Sequence, residues 1–166
     1  MKTTTKSLPI SKEMVYEAWK QIRRNGGSAG VDAESLKDFE EDLSNNLYKL
    51  WNRLTSGSYF PQAVKQVGIP KASGGVRHLG IPTVSDRIAQ MVVKTSLEQR
   101  IDSMFSENSF GYRPGKSAHM ALTKAVENCR KFDWVIDLDI KGFFDNIDHE
   151  LLEKTLERHA NKWERM

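Results

Sequence analysis

Carboxylates at the end of an apolar stretch are the first feature with chemical consequences. In Asp137-Leu138-Asp139-Ile140-Lys141-Gly142-Phe143-Phe144-Asp145 an apolar run ends on acids, then turns at a glycine beside two aromatic rings. Magnesium and other hard cations take carboxylate and carbonyl oxygens in partly open sites, so Asp139 is a candidate metal ligand. Strand alternation places Asp137 and Asp139 on one face, where two like charges repel unless a cation or solvent offsets them. Solvent exposure of Asp137, with turn and cap roles for Asp145 and Asp148, explains those three acids without any metal. It does not explain Asp139.

A basic turn is the second feature. Lys71 and Arg77 flank Ala72-Ser73-Gly74-Gly75, so a short loop holds two cations close together beside the backbone N–H groups of Ser73, Gly74 and Gly75. Arginine offers a planar fork and lysine a point charge, and glycine lets a ligand approach the backbone, a combination suited to a polyphosphate. An ordinary exposed turn has the same composition and is the competing account. The third feature, Phe110-Gly111-Tyr112-Arg113-Pro114-Gly115-Lys116-Ser117-Ala118-His119, mixes aromatics, cations and a helix start. Those are ingredients of a nucleic-acid contact. A plain loop before a capped helix accounts for most of them equally well and leaves His119 on the helix surface.

These residues need elements to position them. Ser11 is a helix N-cap, followed by the stripe Met14, Val15, Ala18 and Ile22, and Gly26-Gly27 stops that helix. A polar loop from Asn25 to Val31 leads to a second helix over residues 33–54, with Leu36, Phe39, Leu43, Leu47, Leu50 and Leu54 on one face. The period then changes. Residues 63–69 and 76–81 are short and β-branched and make a hairpin around the basic turn. Pro82 closes it, and a helix over 85–103 turns Ile88, Met91, Val92, Thr95 and Ile101 inward. Another helix covers 117–129, with the lone Cys129 on its apolar stripe as a buried thiol. Residues 134–140 are expected to form a strand, and Asp148 caps a last helix. Helices, a hairpin, helices and a core strand make the class α+β.

Composition narrows the options without naming one. At 166 residues the chain can bury a real core, and 28% charged residues give no sign of disorder. The net charge is +3, but the basic residues concentrate: residues 61–131 hold eleven of them against five acids, a balance that could face phosphates. A single cysteine excludes an internal disulfide. No apolar run approaches the ~20 residues of a membrane span, and no secretory signal opens the chain. No membrane partner is expected, and a reducing, cytoplasmic setting is the default.

Taken in order, these segments resemble the reverse transcriptases encoded by bacterial group II introns. The matching runs begin with Gly27-Ser28-Ala29-Gly30-Val31-Asp32 and Ile69-Pro70-Lys71, then Gly74-Gly75-Val76-Arg77. They continue through Leu79-Gly80-Ile81-Pro82-Thr83-Val84-Ser85-Asp86-Arg87-Ile88-Ala89-Gln90 and Phe110 to His119, and end with Asp139-Ile140-Lys141-Gly142-Phe143-Phe144-Asp145-Asn146-Ile147-Asp148-His149. The resemblance implies a right-hand polymerase that copies RNA into DNA with two Mg2+ ions. It implies fingers and the beginning of a palm: an extension helix and template-contacting loop over 1–32, fingers over 33–131, and the start of the palm over 132–166. Lys71 and Arg77 would hold the triphosphate of the incoming dNTP. Asp139 would be the first metal-binding aspartate, with the Ile140 carbonyl on one ion. Phe144 would lie under the sugar and block a 2′-hydroxyl. Gln90 and Arg113 would line the template and nucleotide pocket, and Asn25, Gly26, Gly27, Ser28, Ala29, Gly30 and Val31 would cover the template RNA. The implied partners are template and intron RNA, a DNA primer and dNTP, with a homodimer left open.

The sequence departs from that pattern in one place. The family carries a Tyr-x-Asp-Asp hairpin that supplies its other metal-binding acids, and no Asp-Asp pair occurs here. A truncated chain, inactive by itself, is the expectation. Two other readings remain: a retron or CRISPR-associated reverse transcriptase, and a non-catalytic RNA-binding maturase module. The second has no need of Asp139, Phe144 and the Lys71/Arg77 pair together.

Overall fold

The computed structural model describes residues 8–72 and 74–165. The chain divides into two compact units, one running up to Ser96 and the other over Leu97–Arg165. The first opens with helix α1, Lys12–Asn25, whose Ser11 hydroxyl accepts the Met14 amide at 3.2 Å. Val15, Ala18, Trp19 and Ile22 are its buried face. Gly26, at φ 69, ends it by adopting a backbone conformation that side-chain-bearing residues avoid.

The helix expected over 33–54 is two helices. Ala33 has φ 58 and is not helical. Ser35 and Asp38 form a reciprocal capping box, so α2 begins at Leu36 and runs to Glu41. Asp42, at φ −121 and ψ 42, breaks the path before α3, Leu43–Ser56. The break is held by Asn46, whose side-chain amide donates to the Phe39 carbonyl at 3.1 Å. Helix periodicity continues across such a break, which is why the apolar spacing could not reveal it. Phe39 reaches Trp19 with ring centroids 5.2 Å apart. Of the expected face, Phe39, Leu50 and Leu54 are buried, while Leu36, Leu43 and Leu47 are half-buried. The Trp51 indole donates to the Ile10 carbonyl at 2.9 Å, fixing the entry to α1 against α3.

The hairpin is present as expected. Strand β1, Lys65–Pro70, pairs antiparallel with β2, Val76–Ile81, in the register Ile69↔Arg77 and Pro70↔Val76. Helix α4, Val84–Ile101, follows and buries Val84, Ile88, Ala89 and Val92; Thr95, expected inward, is exposed.

The buried carboxylate of Asp86 closes the neck of the hairpin. It accepts the Tyr59 hydroxyl at 2.5 Å and the Gln62 amide at 3.3 Å from the chain before β1, and the Thr83 hydroxyl at 2.7 Å from the chain after β2. Burial, reinforced by this bond to Asp86, holds the Tyr59 hydroxyl far above the usual phenol range.

In the second unit, a 3-10 turn over Asp102–Met104 leads through a loop to α5, Ala118–Cys129, and a second 3-10 turn, Phe144–Asn146, precedes α6, His149–His159. Asp148 caps α6, accepting the Glu150 and Leu151 amides at 2.9 and 3.2 Å. Glu164 is buried, paired with Arg100, and accepts the Asn161 amide at 2.6 Å. Every buried apolar side chain among the described residues lies in the first unit. Two expectations fail in this unit. Cys129 is exposed rather than buried. The palm strand expected over 134–140 is unpaired chain, with Trp134 90% and Leu138 88% exposed. A strand exists only through backbone bonds to a neighbour, and no described segment pairs with this one. No described helix is long and apolar enough to cross a membrane.

Candidate functional site

Hairpin register decides where the two tip cations lie. Along β1 and β2, Lys65, Val67 and Ile69 share a face with Ile81, Leu79 and Arg77. The Lys71 amide donates to the Gly75 carbonyl at 3.0 Å, and the Gly74 amide to the Lys71 carbonyl at 3.1 Å. This continues the ladder one step and brings Lys71 to the same face as Arg77, diagonal to it. Gly74 and Gly75 close the turn at φ 87 and 86, values that glycine adopts without strain. Both cations are exposed, and neither side chain has a partner among the described residues. Ser73 lies outside the described residues.

The loop from Asn25 to Val31 is tied down by one side chain, Arg87. It projects from the first turn of α4 and donates to the Gly26 carbonyl at 3.2 Å and the Ser28 carbonyl at 3.1 Å. Burial pulls Arg87 below the usual guanidinium range, and the nearby Asp32 carboxylate opposes that. Its Nε is enclosed without a hydrogen-bond partner among the described residues. Two glycines make the fit. A Cβ on Gly27, at φ 116, would sit 2.6 Å from the Arg87 guanidinium, and one on Gly30 would sit 2.7 Å from the Thr83 backbone. The Gly-Ser-Ala-Gly run and the segment entering α4 are therefore two sides of one contact. Ser28 and Val31 remain exposed, as does Gln90 on α4.

Arg113 is engaged inside its own unit. Its Nε and Nη2 grip the Asp102 carboxylate at 2.8 and 3.2 Å, and Nη2 also reaches the Asp102 carbonyl at 2.8 Å. Nη1 donates to the Ser106 and Ser109 carbonyls at 2.7 and 3.0 Å. All five N–H donors are thereby used. The bond to Asp102 raises Arg113, and the same bond holds the Asp102 carboxyl below its usual range.

Asp139, Ile140 and Phe144 share one short exposed segment. Gly142, at φ 61, turns the chain, and the Asn146 side chain locks that turn by donating to the Gly142 carbonyl at 2.8 Å. Phe143 and Phe144 meet edge to face at 5.3 Å. The donor set fits part of a magnesium sphere, one carboxylate with an adjacent carbonyl, whereas the ion takes six oxygens. Among the described residues no cluster of three or more His, Cys, Asp or Glu side chains is placed to hold a metal.

Sequence reasoning missed three contributors. Asp86 carried a signal, since Thr83 and Asp86 stand at capping-box spacing just after Pro82. Arg87 and Asp102 carried none, because their partners are backbone carbonyls or lie eleven residues away.

Residues 69–164 match the family described as Reverse transcriptase (RNA-dependent DNA polymerase). That span includes Lys71, Arg77, Gln90, Arg113, Asp139 and Phe144, while the loop from Asn25 to Val31 precedes it. The chain is 34% identical over 146 residues to the group II intron-encoded protein LtrA of Lactococcus lactis subsp. cremoris, covering 86% of this chain and 24% of LtrA. It is 35% identical over 137 residues to protein YkfC of Escherichia coli, covering 80% and 36%. Nuclear intron maturase 2, mitochondrial, of Arabidopsis thaliana is 36% identical over 62 residues, 37% of this chain and 8% of that protein. The chain thus spans about a quarter to a third of the length of its bacterial relatives.

Proposed function

The chain belongs to the reverse transcriptase family, among the group II intron-encoded proteins and maturases, and on that premise we propose that it supplies the fingers and the start of the palm of an RNA-directed DNA polymerase. The observation that carries this reading is the pair of cations, Lys71 and Arg77, exposed and without a partner among the described residues, on one face of a hairpin whose neck is anchored by Asp86. A dNTP carries its charge on the triphosphate, and positioning and neutralising that charge is most of what phosphoryl transfer asks of a protein. Lys71 and Arg77 would take the phosphates. Asp139 and the Ile140 carbonyl would hold Mg2+, which when bound activates the primer hydroxyl and offsets charge on the departing pyrophosphate. Phe144 would exclude a 2′-hydroxyl by its bulk, and Gln90 would line the nucleotide pocket.

The partners proposed are template RNA, a DNA primer and intron RNA, the last because relatives of this chain are named for introns. The loop from Asn25 to Val31 would meet the template. Arg113, with its donors consumed, would act by shaping the loop around it rather than by gripping a phosphate. With no adjacent aspartate pair in the sequence, primer extension by the 166-residue chain is expected to be absent.

The test is equilibrium binding of dNTP to the chain in the presence of Mg2+. Replacing either Lys71 or Arg77 by Ala removes a charge-assisted contact of about 1.5–3 kcal/mol and should weaken binding by about 10- to 150-fold. Unchanged affinity in the double variant would remove the triphosphate role.

A further inference from the structure

Tyr112 combines two properties that packing does not explain. Its backbone lies in the left-handed region at φ 55, and its side chain is fully exposed, at 102% of the reference area. Bulky residues avoid that backbone region unless their surroundings impose it. Here the imposing group is the next residue. Arg113 joins Asp102, Ser106 and Ser109 through five hydrogen bonds and lies over the Phe105 ring at 5.4 Å. Lys116 fixes the other side, donating to the Glu107 carbonyl at 3.1 Å with its ammonium 5.1 Å from the Phe110 ring. Phe110 is therefore drawn in while Tyr112, two residues on, stands out in water.

We infer that Tyr112 is a stacking platform for an unpaired base of single-stranded RNA. A rigid, preorganised ring offers its π-face to any base at little entropic cost, and base–aromatic stacking tolerates sequence. The same loop supplies room for a neighbouring nucleotide. Phe110, Lys116, His119 and Lys124 line an open groove of about 520 Å³ that Glu107 and Glu127 also border. Lys116 puts a cation at its edge to meet a phosphate. This rests on the RNA-directed reading above and adds the residue that would hold a base.

The test uses the 166-residue chain and a ten-nucleotide single-stranded RNA carrying one 2-aminopurine, whose fluorescence is quenched by stacking. Tyr112→Asn keeps a residue that tolerates the left-handed backbone while removing the ring, and Tyr112→Phe keeps the ring. Because the residue is fully exposed, both variants should keep the wild-type melting temperature. The expected result is near-normal affinity and quenching for Tyr112→Phe. Tyr112→Asn should lose the quenching and about 5- to 150-fold in affinity, and bind duplex RNA, whose bases are already stacked, like wild type. Equal single-strand binding by wild type and Tyr112→Asn would overturn the stacking assignment and leave RNA binding standing. A loss that is the same for duplex and single strand overturns it too. So does a variant that changes only self-association, which would make the ring a protein contact. No RNA binding by the wild-type chain would overturn both this inference and the RNA-directed reading.

Discussion

Replacing Asp86 by Asn should loosen the neck of the hairpin and destabilise the first unit. The carboxylate is 3% exposed, with Oδ1 accepting the Tyr59 hydroxyl and Oδ2 accepting the Thr83 hydroxyl and the Gln62 amide. Asparagine keeps one acceptor oxygen. Its better orientation leaves that oxygen on Thr83 and Gln62 and turns the amide toward Tyr59, which must rotate its hydroxyl to accept. The tyrosine bond to a charged acceptor is lost, about 1.5–3 kcal/mol, and the remaining bonds lose their charge assistance. A total of about 2–4 kcal/mol follows, and at about 2–4 °C per kcal/mol for a chain of this size the midpoint should fall by about 4–16 °C. Thermal unfolding followed by circular dichroism measures it. Tyr59→Phe removes the same bond from the other side, so the double variant should cost less than the two single variants together. A midpoint within about 1 °C of wild type, or strict additivity, would refute the anchoring role.

Other outcomes follow from the same geometry. Gly30→Ala places a Cβ 2.7 Å from the Thr83 backbone, which cannot yield as a side chain can; denaturant unfolding should show a loss of about 1–3 kcal/mol. The Tyr59 hydroxyl titrates above its ordinary value of 10 because burial and Asp86 favour the neutral form. The folded state therefore keeps a proton that the unfolded chain has lost. Its contribution to stability is complete below pH 10 and falls as pH rises beyond that. Tyr59→Phe should flatten that alkaline decline in a pH series of melting temperatures, and an unchanged slope would place its origin elsewhere. In a polymerase-active protein carrying this segment, Phe144→Ala should admit ribonucleotides; incorporation assays showing unaltered sugar discrimination would end the proposed gate.

Local chemistry was legible in the sequence wherever a local rule sets the structure. Ser11 caps α1, Gly26 ends it and Asp148 caps α6, each through a bond spanning two to four residues. The hairpin was legible because its turn glycines and β-branched flanks specify pairing between neighbours in sequence. The α2–α3 break was not, because it depends on Asp42 leaving the helical backbone at φ −121 and ψ 42 and on Asn46 reaching back to Phe39. Neither changes the apolar spacing. Among candidate site residues, Lys71 and Arg77 were readable as a pair, whereas the bonds that occupy Arg113 were not. Guanidinium contacts to backbone carbonyls leave no trace in residue identity. The strand over 134–140 failed for the complementary reason: alternation and β-branching state a preference, and pairing is a property of two segments.

The two units hold their exposed chemistry by different means. In the first, the basic hairpin and the glycine loop are each fastened to the N-terminal turn of α4, through Asp86 and Arg87, beside the buried Val84 and Ile88. The candidate residues there have a packed core behind them, so a change at an anchor is felt as global stability. In the second, no buried apolar side chain among the described residues backs the candidate residues. Tyr112 is fixed by the Arg113 hydrogen bonds and the segment after Asp139 by Asn146 on Gly142. Such local bonds set a turn's shape without supplying the apolar burial that supports cooperative stability. The same substitution strategy should therefore move the melting temperature in the first unit and ligand affinity alone in the second. That contrast makes Tyr112 the cleaner probe of binding and Asp86 the cleaner probe of fold.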